Sequence, residues 1–508
     1  MPFQVSARDF YGVMPLLILA GTGLVVLMWD AFEKVPSRIP LFLTLLGAVA
    51  AGAAGIVNMD NTGHIFNGMI LNNGWANYYS VLFSVGVIMA SLLAERYLRD
   101  EEILVGEFSA LVLFSACGMI MLASGNDLIV TFLGLETMSI AFYVLAGLFR
   151  RRRESNEAAL KYFLLGAFST GFFLYGIALI YGTFATTNLD AITAALSIPT
   201  TANSALSSPM FWMGVGMLLV GFCFKIAAFP FHQWAPDVYD GSPTVVAGFF
   251  STAGKAGAFA ALVLIINIAM GPLANDPAAY HKMQMVLGIL ALASMFYGNI
   301  TALAQTNIKR MLAYSSIAHA GYMLLGVAAM SRQGATAVTI YLTVYTFMQM
   351  GAFGVVGLLE REGGKGLDLN DYAGLGRRRP WVAFVMSIMM LSLTGIPPFG
   401  GFFGKYYVFT AAIGSGLTLF AILGMVATLI SVFFYLRIMV VMYFRDAEAI
   451  AHDEVEQGIV VGSGGALSVS GVGTITAWVA LAIATVGISI LGLLPSILTN
   501  LSQSFYAR

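Results

Sequence analysis

Four charged side chains, Glu136, Lys225, Lys255 and Lys405, fall inside long apolar stretches of this 508-residue chain. A charge at the centre of a bilayer costs roughly 2.5–3.5 kcal/mol on insertion scales, so such residues mark ion or proton paths. Glu136 stands mid-stretch in DLIVTFLGLETMSIAFYVLAGLF and reads as the only carboxylate deep within an apolar helix. One acid and three bases in such a setting suit a charge relay. Low dielectric disfavours an ammonium ion and eases the loss of its proton, whereas a nearby carboxylate restores it. Glu136 and Lys225 are therefore expected to form a switch that holds a proton when paired and passes it to Lys255 when apart. Lys255 stands about 16 Å along its helix, at roughly 1.5 Å per residue, near the middle of a roughly 30 Å core. Lys405 would be the far outlet. His319 would bridge the two, since an imidazole titrates near neutrality.

Each assignment has a plainer rival. Glu136 and Lys225 have as their rival reading a structural ion pair tying two helices together. His319 reads as a core histidine bonded to a backbone carbonyl. Lys161, only eight residues from Arg153, reads as a lysine whose long stem reaches out to the interface.

The elements that must hold these residues follow from composition. The chain is 59% hydrophobic and 10% charged, against about 25% charged in soluble domains, so it must dissolve in lipid. With a net charge of −1 it offers no general field for nucleic acid. About 20 apolar residues cross a bilayer as a helix, and fourteen such runs are present. They are Tyr11–Trp29, Ile39–Ile56, Tyr78–Ala94, Phe108–Ala123, Leu128–Phe149, Leu160–Tyr181, Phe211–Phe229, Val245–Met270, Met283–Leu303, Met311–Met330, Ala337–Leu359, Trp381–Phe409, Leu417–Phe444 and Ala477–Leu498. Loops after odd-numbered spans carry sixteen lysines and arginines and the opposite loops four. That bias sets the odd loops inside and both termini outside. The run Gly462–Gly473 is glycine-rich without a preceding strand and reads as a linker rather than a phosphate loop.

Spans seven and twelve carry helix breakers beside a lysine: Pro230 after Lys225, and Pro397, Pro398, Gly400 and Gly401 before Lys405. Broken backbone at membrane depth is tolerated where protein or a wet cavity satisfies it, and paired breaks point to a transport site. Spans four to eight (108–270) and nine to thirteen (283–444) make two sets of five, each with the broken helix fourth. Five is odd, so the second set is inverted. No nucleophile–histidine–acid set, nucleotide fingerprint or metal cluster is visible, and Cys117 and Cys223 read as small core hydrophobes.

At FKIAAFPFHQWAPDVYDGSPTVVAGFFSTAGK and at LTGIPPFGGFFGK the chain resembles the antiporter-like membrane subunits of respiratory complex I. That family includes subunits of multi-component sodium/proton antiporters. The resemblance implies an all-α fold of fourteen transmembrane helices with two inverted five-helix repeats and discontinuous helices seven and twelve. It places the family's relay residues on Glu136, Lys161, Lys225, Lys255 and Lys405. Lysine at position 405 argues against the M-type subunits, which carry glutamate there. The chain ends soon after span fourteen, without the L-type's lateral helix, and the N-type pattern remains.

The function implied is proton translocation in an NADH:quinone oxidoreductase, through a translocase subunit that carries out no redox chemistry itself. FMN, iron–sulfur clusters, NADH and quinone would sit on partner subunits. Its neighbours would be the antiporter-like subunit M, small membrane subunits and lipids, in a bacterial inner membrane with periplasmic termini. The alternatives are an ion-translocating subunit of a sodium/proton antiporter and a purely structural membrane subunit.

Overall fold

The computed structural model describes residues 6–32, 37–100, 105–360, 366–446 and 473–496. Most of the expected linker, Lys34, Arg361, Lys365 and both chain ends lie outside the described residues. Among the described residues, thirteen helices are long and apolar enough to cross a membrane: Met14–Phe32, Ile39–Val57, Gly74–Glu95, Val105–Ser124, Leu128–Ala146, Arg153–Phe184, Pro209–Ile226, Thr244–Ala269, Pro277–Leu303, Ile308–Ala328, Arg332–Leu359, Thr418–Phe444 and Ile475–Leu493. A further span, the twelfth in order, is divided into Pro380–Thr394 and Gly400–Gly414. The architecture is the expected all-α bundle of fourteen spans.

Polar residues at the expected ends start many of these helices. Asp127 caps span five by accepting from the Ile129 amide (2.8 Å). Asp276 caps span nine through the Ala278 and Ala279 amides, Asn307 caps span ten through Arg310, and Ser331 caps span eleven through Gly334. Each satisfies an amide that the first helical turn leaves free. Asp127 is thus a capping group.

The breaks have a common geometry. Span seven ends at Ala227 (φ 56°) and span twelve's first half at Gly395 (φ 88°), each three residues before a proline, Pro230 and Pro398. The left-handed residue closes the helix, and the proline, lacking an N–H, cannot resume it. The two sets of five also begin alike. Gly118 of span four lies against the backbone of Gly134 and Met138 in span five, and Gly298 of span nine against that of Tyr314 and Ala318 in span ten. Small residues let paired membrane helices approach this closely.

Spans eight, ten and eleven are almost wholly buried, whereas spans one, six and fourteen expose most of their length. The interior axis therefore runs through eight, ten and eleven. At one end of the bundle an antiparallel hairpin, His64–Ile65 with Ile70–Leu71 in register His64↔Leu71, bridges to Gly125. At the other end lie Arg150 to Arg153, Lys309, Arg310 and Arg377 to Arg379, called here the basic face. Glu95 and Glu360 correct the expectation of a single deep carboxylate. Their side chains are 2% exposed, paired with Arg38 (3.0 Å) and Arg152 (3.5 Å) at helix ends on that face. Arg152 is accordingly turned inward, while Arg150 pairs with Glu107 at the surface (3.0 Å).

Gly401 holds the two halves of span twelve together: its amide donates to Ser392 Oγ (3.1 Å), and a side chain there would strike the Ser392 carbonyl. Gly401→Ala is expected to destabilise the subunit by about 1–3 kcal/mol, the usual cost of overpacking. Thermal unfolding in detergent checks this. Gly216→Ala, at a glycine with open space around it, should leave the midpoint unchanged.

Candidate functional site

Lys255 follows a π-helical turn, Phe250–Gly254, in the middle of span eight. Such turns are rare and gather at functional positions. Its side chain is 1% exposed, and its Nζ donates to the Ser316 carbonyl and to Ser316 Oγ, both at 2.6 Å. Ser316 lies on span ten, where Ser316, His319 and Tyr322 recur every third residue and share one face. The His319 ring is held at both nitrogens, Nδ1 to the Tyr341 hydroxyl (2.7 Å) and Nε2 to the Tyr435 hydroxyl (3.0 Å). A neutral imidazole donates from one nitrogen and accepts at the other. Since either hydroxyl can take either role, the ring can accept a proton on one side and release it on the other.

Tyr322 continues the stripe. Its ring lies 5.9 Å from that of His319, and Lys405 Nζ stands over it at 4.9 Å. Lys405 donates to the carbonyls of Leu393 (3.0 Å) and Thr394 (2.9 Å). These are the last carbonyls of the first half of span twelve, left without intrahelical partners by the break at Gly395. The broken helix thus supplies the acceptor for its own lysine. In span seven the Phe224 carbonyl accepts from the Ala227 amide (3.0 Å) and from Trp234 Nε1 (2.9 Å).

Lys225, in the last turn of span seven, instead faces aromatic rings. Its Nζ lies 5.1 Å from the ring centres of both Tyr143 and Tyr162 and 3.5 Å from the Tyr143 hydroxyl. Ring faces attract a cation by about 0.5–2 kcal/mol. Glu136 is half-buried and accepts from Thr170 Oγ1 (2.8 Å). Among the described residues no ion pair joins Glu136 to Lys225, nor any carboxylate to Lys255 or Lys405. The expected switch pair is held apart, with Tyr143, two helical turns from Glu136, beside the ammonium. From there the rings of Tyr162, Phe250 and Phe142 touch in series (5.8 and 4.3 Å) toward the π turn before Lys255.

Lys161 is not brought to this axis. It sits on the basic face, 41% exposed, bonded to Glu157 (2.6 Å) and Asp237 (2.9 Å). Asp237 also accepts from Arg310 (3.0 Å), so one carboxylate clasps spans six and ten. These groups line a charged cavity of ≈ 440 Å³ with Asp240, Lys309 and Glu360. Lys309 is a buried lysine that sequence reasoning left in a loop; it is 2% exposed and donates to the Ser242 carbonyl (2.8 Å). Ser316, Tyr341 and Tyr435 were missed too, since nothing in their sequence surroundings sets them apart. Among the described residues no cluster of histidine, cysteine or acid could hold a metal ion.

The transmembrane family model described as NADH:quinone oxidoreductase/Mrp antiporter matches residues 125–431, which include all six candidate residues. NADH-quinone oxidoreductase subunit N 1 of Herpetosiphon aurantiacus is 41% identical over 497 residues, 97% of this chain and 95% of that protein. The chain belongs to the family of NADH-quinone oxidoreductase subunit N. In a structure of respiratory complex I from Thermus thermophilus with bound aureothin, one chain is 33% identical with a TM-score of 0.77, covering 96% of this chain and 99% of that one. A chain of the Mrp complex from a Dietzia species, 20% identical with a TM-score of 0.79 over 99% and 97% of the two chains, shares the fold. In this member of the family the charged axis and the cavity are separate features, joined through span ten.

Burial opposes ionisation of Asp237, but the hydrogen bonds from Lys161 and Arg310 outweigh it and hold the carboxyl below its ordinary range. A depressed value means that the clasp stabilises the fold above the ordinary carboxylate pKa of about 3.9 and weakens as pH falls through the lower folded-state value. Asp237→Asn is therefore expected to lower the melting temperature at neutral pH. The gap to wild type should narrow on acidification, and a pH series of melting curves checks it.

Proposed function

We propose that this chain translocates protons as a membrane-arm subunit of an NADH:quinone oxidoreductase, through a relay of Glu136, Lys225, Lys255, His319 and Lys405. The observation that carries this reading is the Ser316–His319–Tyr322 face of span ten, which joins two buried ammonium groups, neither with a carboxylate partner. An ammonium held only by carbonyls, a hydroxyl and a ring keeps much of its desolvation cost, so surrendering the proton relieves it. Glu136 biases Lys225 through space, and its approach or withdrawal would set whether Lys225 holds its proton. Lys161 would act at the basic face, where it borders the charged cavity. Residues 108–270 and 283–444 would be two copies of one half-channel unit, inverted with respect to each other.

Flavin, iron–sulfur, nicotinamide and quinone chemistry would belong to partner subunits, beside which this chain would lie with subunit M, small membrane subunits and lipid. The basic face would be cytoplasmic in a bacterial inner membrane, with periplasmic termini, since arginines and lysines gather there. The fold is shared with an antiporter complex, which keeps sodium/proton exchange as the second reading. The chemistry of the axis disfavours it, because buried ammonium groups repel a metal cation that wants oxygen ligands.

Lys225→Ala and Lys255→Met, assembled in the complex and reconstituted into vesicles, are expected to cut NADH-driven proton pumping by about a hundredfold or more, the low end for losing a positioned proton carrier. Wild-type pumping in an assembled variant would remove the relay. Sodium-dependent transport without electron flow would favour the antiporter.

A further inference from the structure

Aromatic rings, more than oxygens, enclose the Lys225 ammonium. Its Nζ stands 5.1 Å from the ring centres of Tyr143 and Tyr162 and 5.7 Å from that of Phe224. All three lie inside the roughly 6 Å over which a ring face attracts a cation. Its hydrogen-bond partner, the Tyr143 hydroxyl, is distant at 3.5 Å. The rings come from three spans: Tyr143 from span five, Tyr162 from span six and Phe224 from span seven. Tyr143 and Tyr162 meet edge to face, with ring centres 4.9 Å apart and 87° between planes. Lys405, by contrast, combines the Tyr322 ring with two backbone carbonyls.

Trp234 backs these rings. It is buried, and it is the first residue of the short helix Trp234–Gly241 that follows the break in span seven. Its indole lies parallel to the Tyr162 ring, with centres 4.3 Å apart and 7° between planes, and stands 5.3 Å from the Phe224 ring. Its Nε1 donates back across the break to the Phe224 carbonyl (2.9 Å). One side chain therefore fixes two of the three rings, and it does so from beyond Pro230.

We propose that Tyr143, Tyr162 and Phe224 form an aromatic box that holds the Lys225 ammonium by its charge, and that Trp234 is the positioning residue that keeps the box closed. Ring faces carry negative electrostatic potential, so they attract the ammonium but not the neutral amine. Three of them offset part of the desolvation cost of the charged form while offering no base that would trap the proton. The box deepens the relay reading above, on which it rests, by naming what holds the first lysine in its charged form while Glu136 is not joined to it.

Fluorine on an aromatic ring drains its face of negative potential and changes its shape little. In the assembled complex, a phenylalanine ring carrying none to three fluorines at position 162 therefore separates attraction from packing. NADH-driven pumping in vesicles is expected to fall stepwise along that series, by about fivefold in all, the factor that corresponds to an attraction of about 1 kcal/mol. Stacking on the electron-rich indole strengthens with each fluorine. A ring that only packs would thus leave pumping level or raise it, and either result overturns the box. Trp234→Leu is expected to cost about as much as the full series, while Trp234→Phe, which keeps a ring to stack on Tyr162, recovers most of the loss. Equal pumping by the two would remove the positioning role. Lys225→Ala separates the box from the relay. With Lys225→Ala inactive and the fluorine series flat, the box is wrong and the relay stands. With Lys225→Ala pumping normally, the relay has failed, and the box with it.

Discussion

An ammonium group in an apolar interior must find oxygen or ring faces, or it will give up its charge. Three such groups set the terms for this chain. A carboxylate partner would repay more of the desolvation, and removing it from a buried pair is costly. Lys255 and Lys405 are given less: two oxygens of one serine, and two helix-end carbonyls with a ring below. The most buried spans, eight, ten and eleven, form the axis around them.

The discontinuous helices follow from the same constraint. A continuous helix would spend its carbonyls on its own backbone, leaving span twelve nothing to offer an ammonium. Ending the helix at Gly395 frees the Leu393 and Thr394 carbonyls, and the short turn through the prolines brings Lys405 back onto them. Span seven repeats the geometry with a different outcome. There the Phe224 carbonyl accepts from both the Ala227 amide and Trp234 Nε1, and Lys225, ahead of the break, faces Tyr143 and Tyr162. The first half thus has a lysine set among aromatic rings and the second a lysine tied to backbone.

Span count, the two breaks and the titratable residues of the axis were legible because each is a local departure from an apolar background. Lysine in Val-Ala-Gly surroundings or a proline pair in a hydrophobic run is visible one residue at a time. What joins them was not legible. Ser316, Tyr341 and Tyr435 are unremarkable in sequence and gain meaning only when spans ten, eleven and thirteen pack around His319. Lys309 was placed in a loop because hydropathy reads distance along the chain; packing of the neighbouring helix ends buries it, and the Glu360 side chain with it. Lys161 went the other way. Family resemblance put it in the relay, whereas its place near the start of span six puts its ammonium among the acids of the basic face.

The central claim, that Lys255 works because no fixed negative charge holds its proton, is tested most directly by supplying one. Ser316 Oγ is 2.6 Å from Lys255 Nζ, so Ser316→Asp places a carboxylate on the ammonium, while Ser316→Asn fills similar space without charge. Proton pumping by the assembled complex should be lost with aspartate and largely kept with asparagine. Pumping at the wild-type rate with aspartate at position 316 would contradict the account.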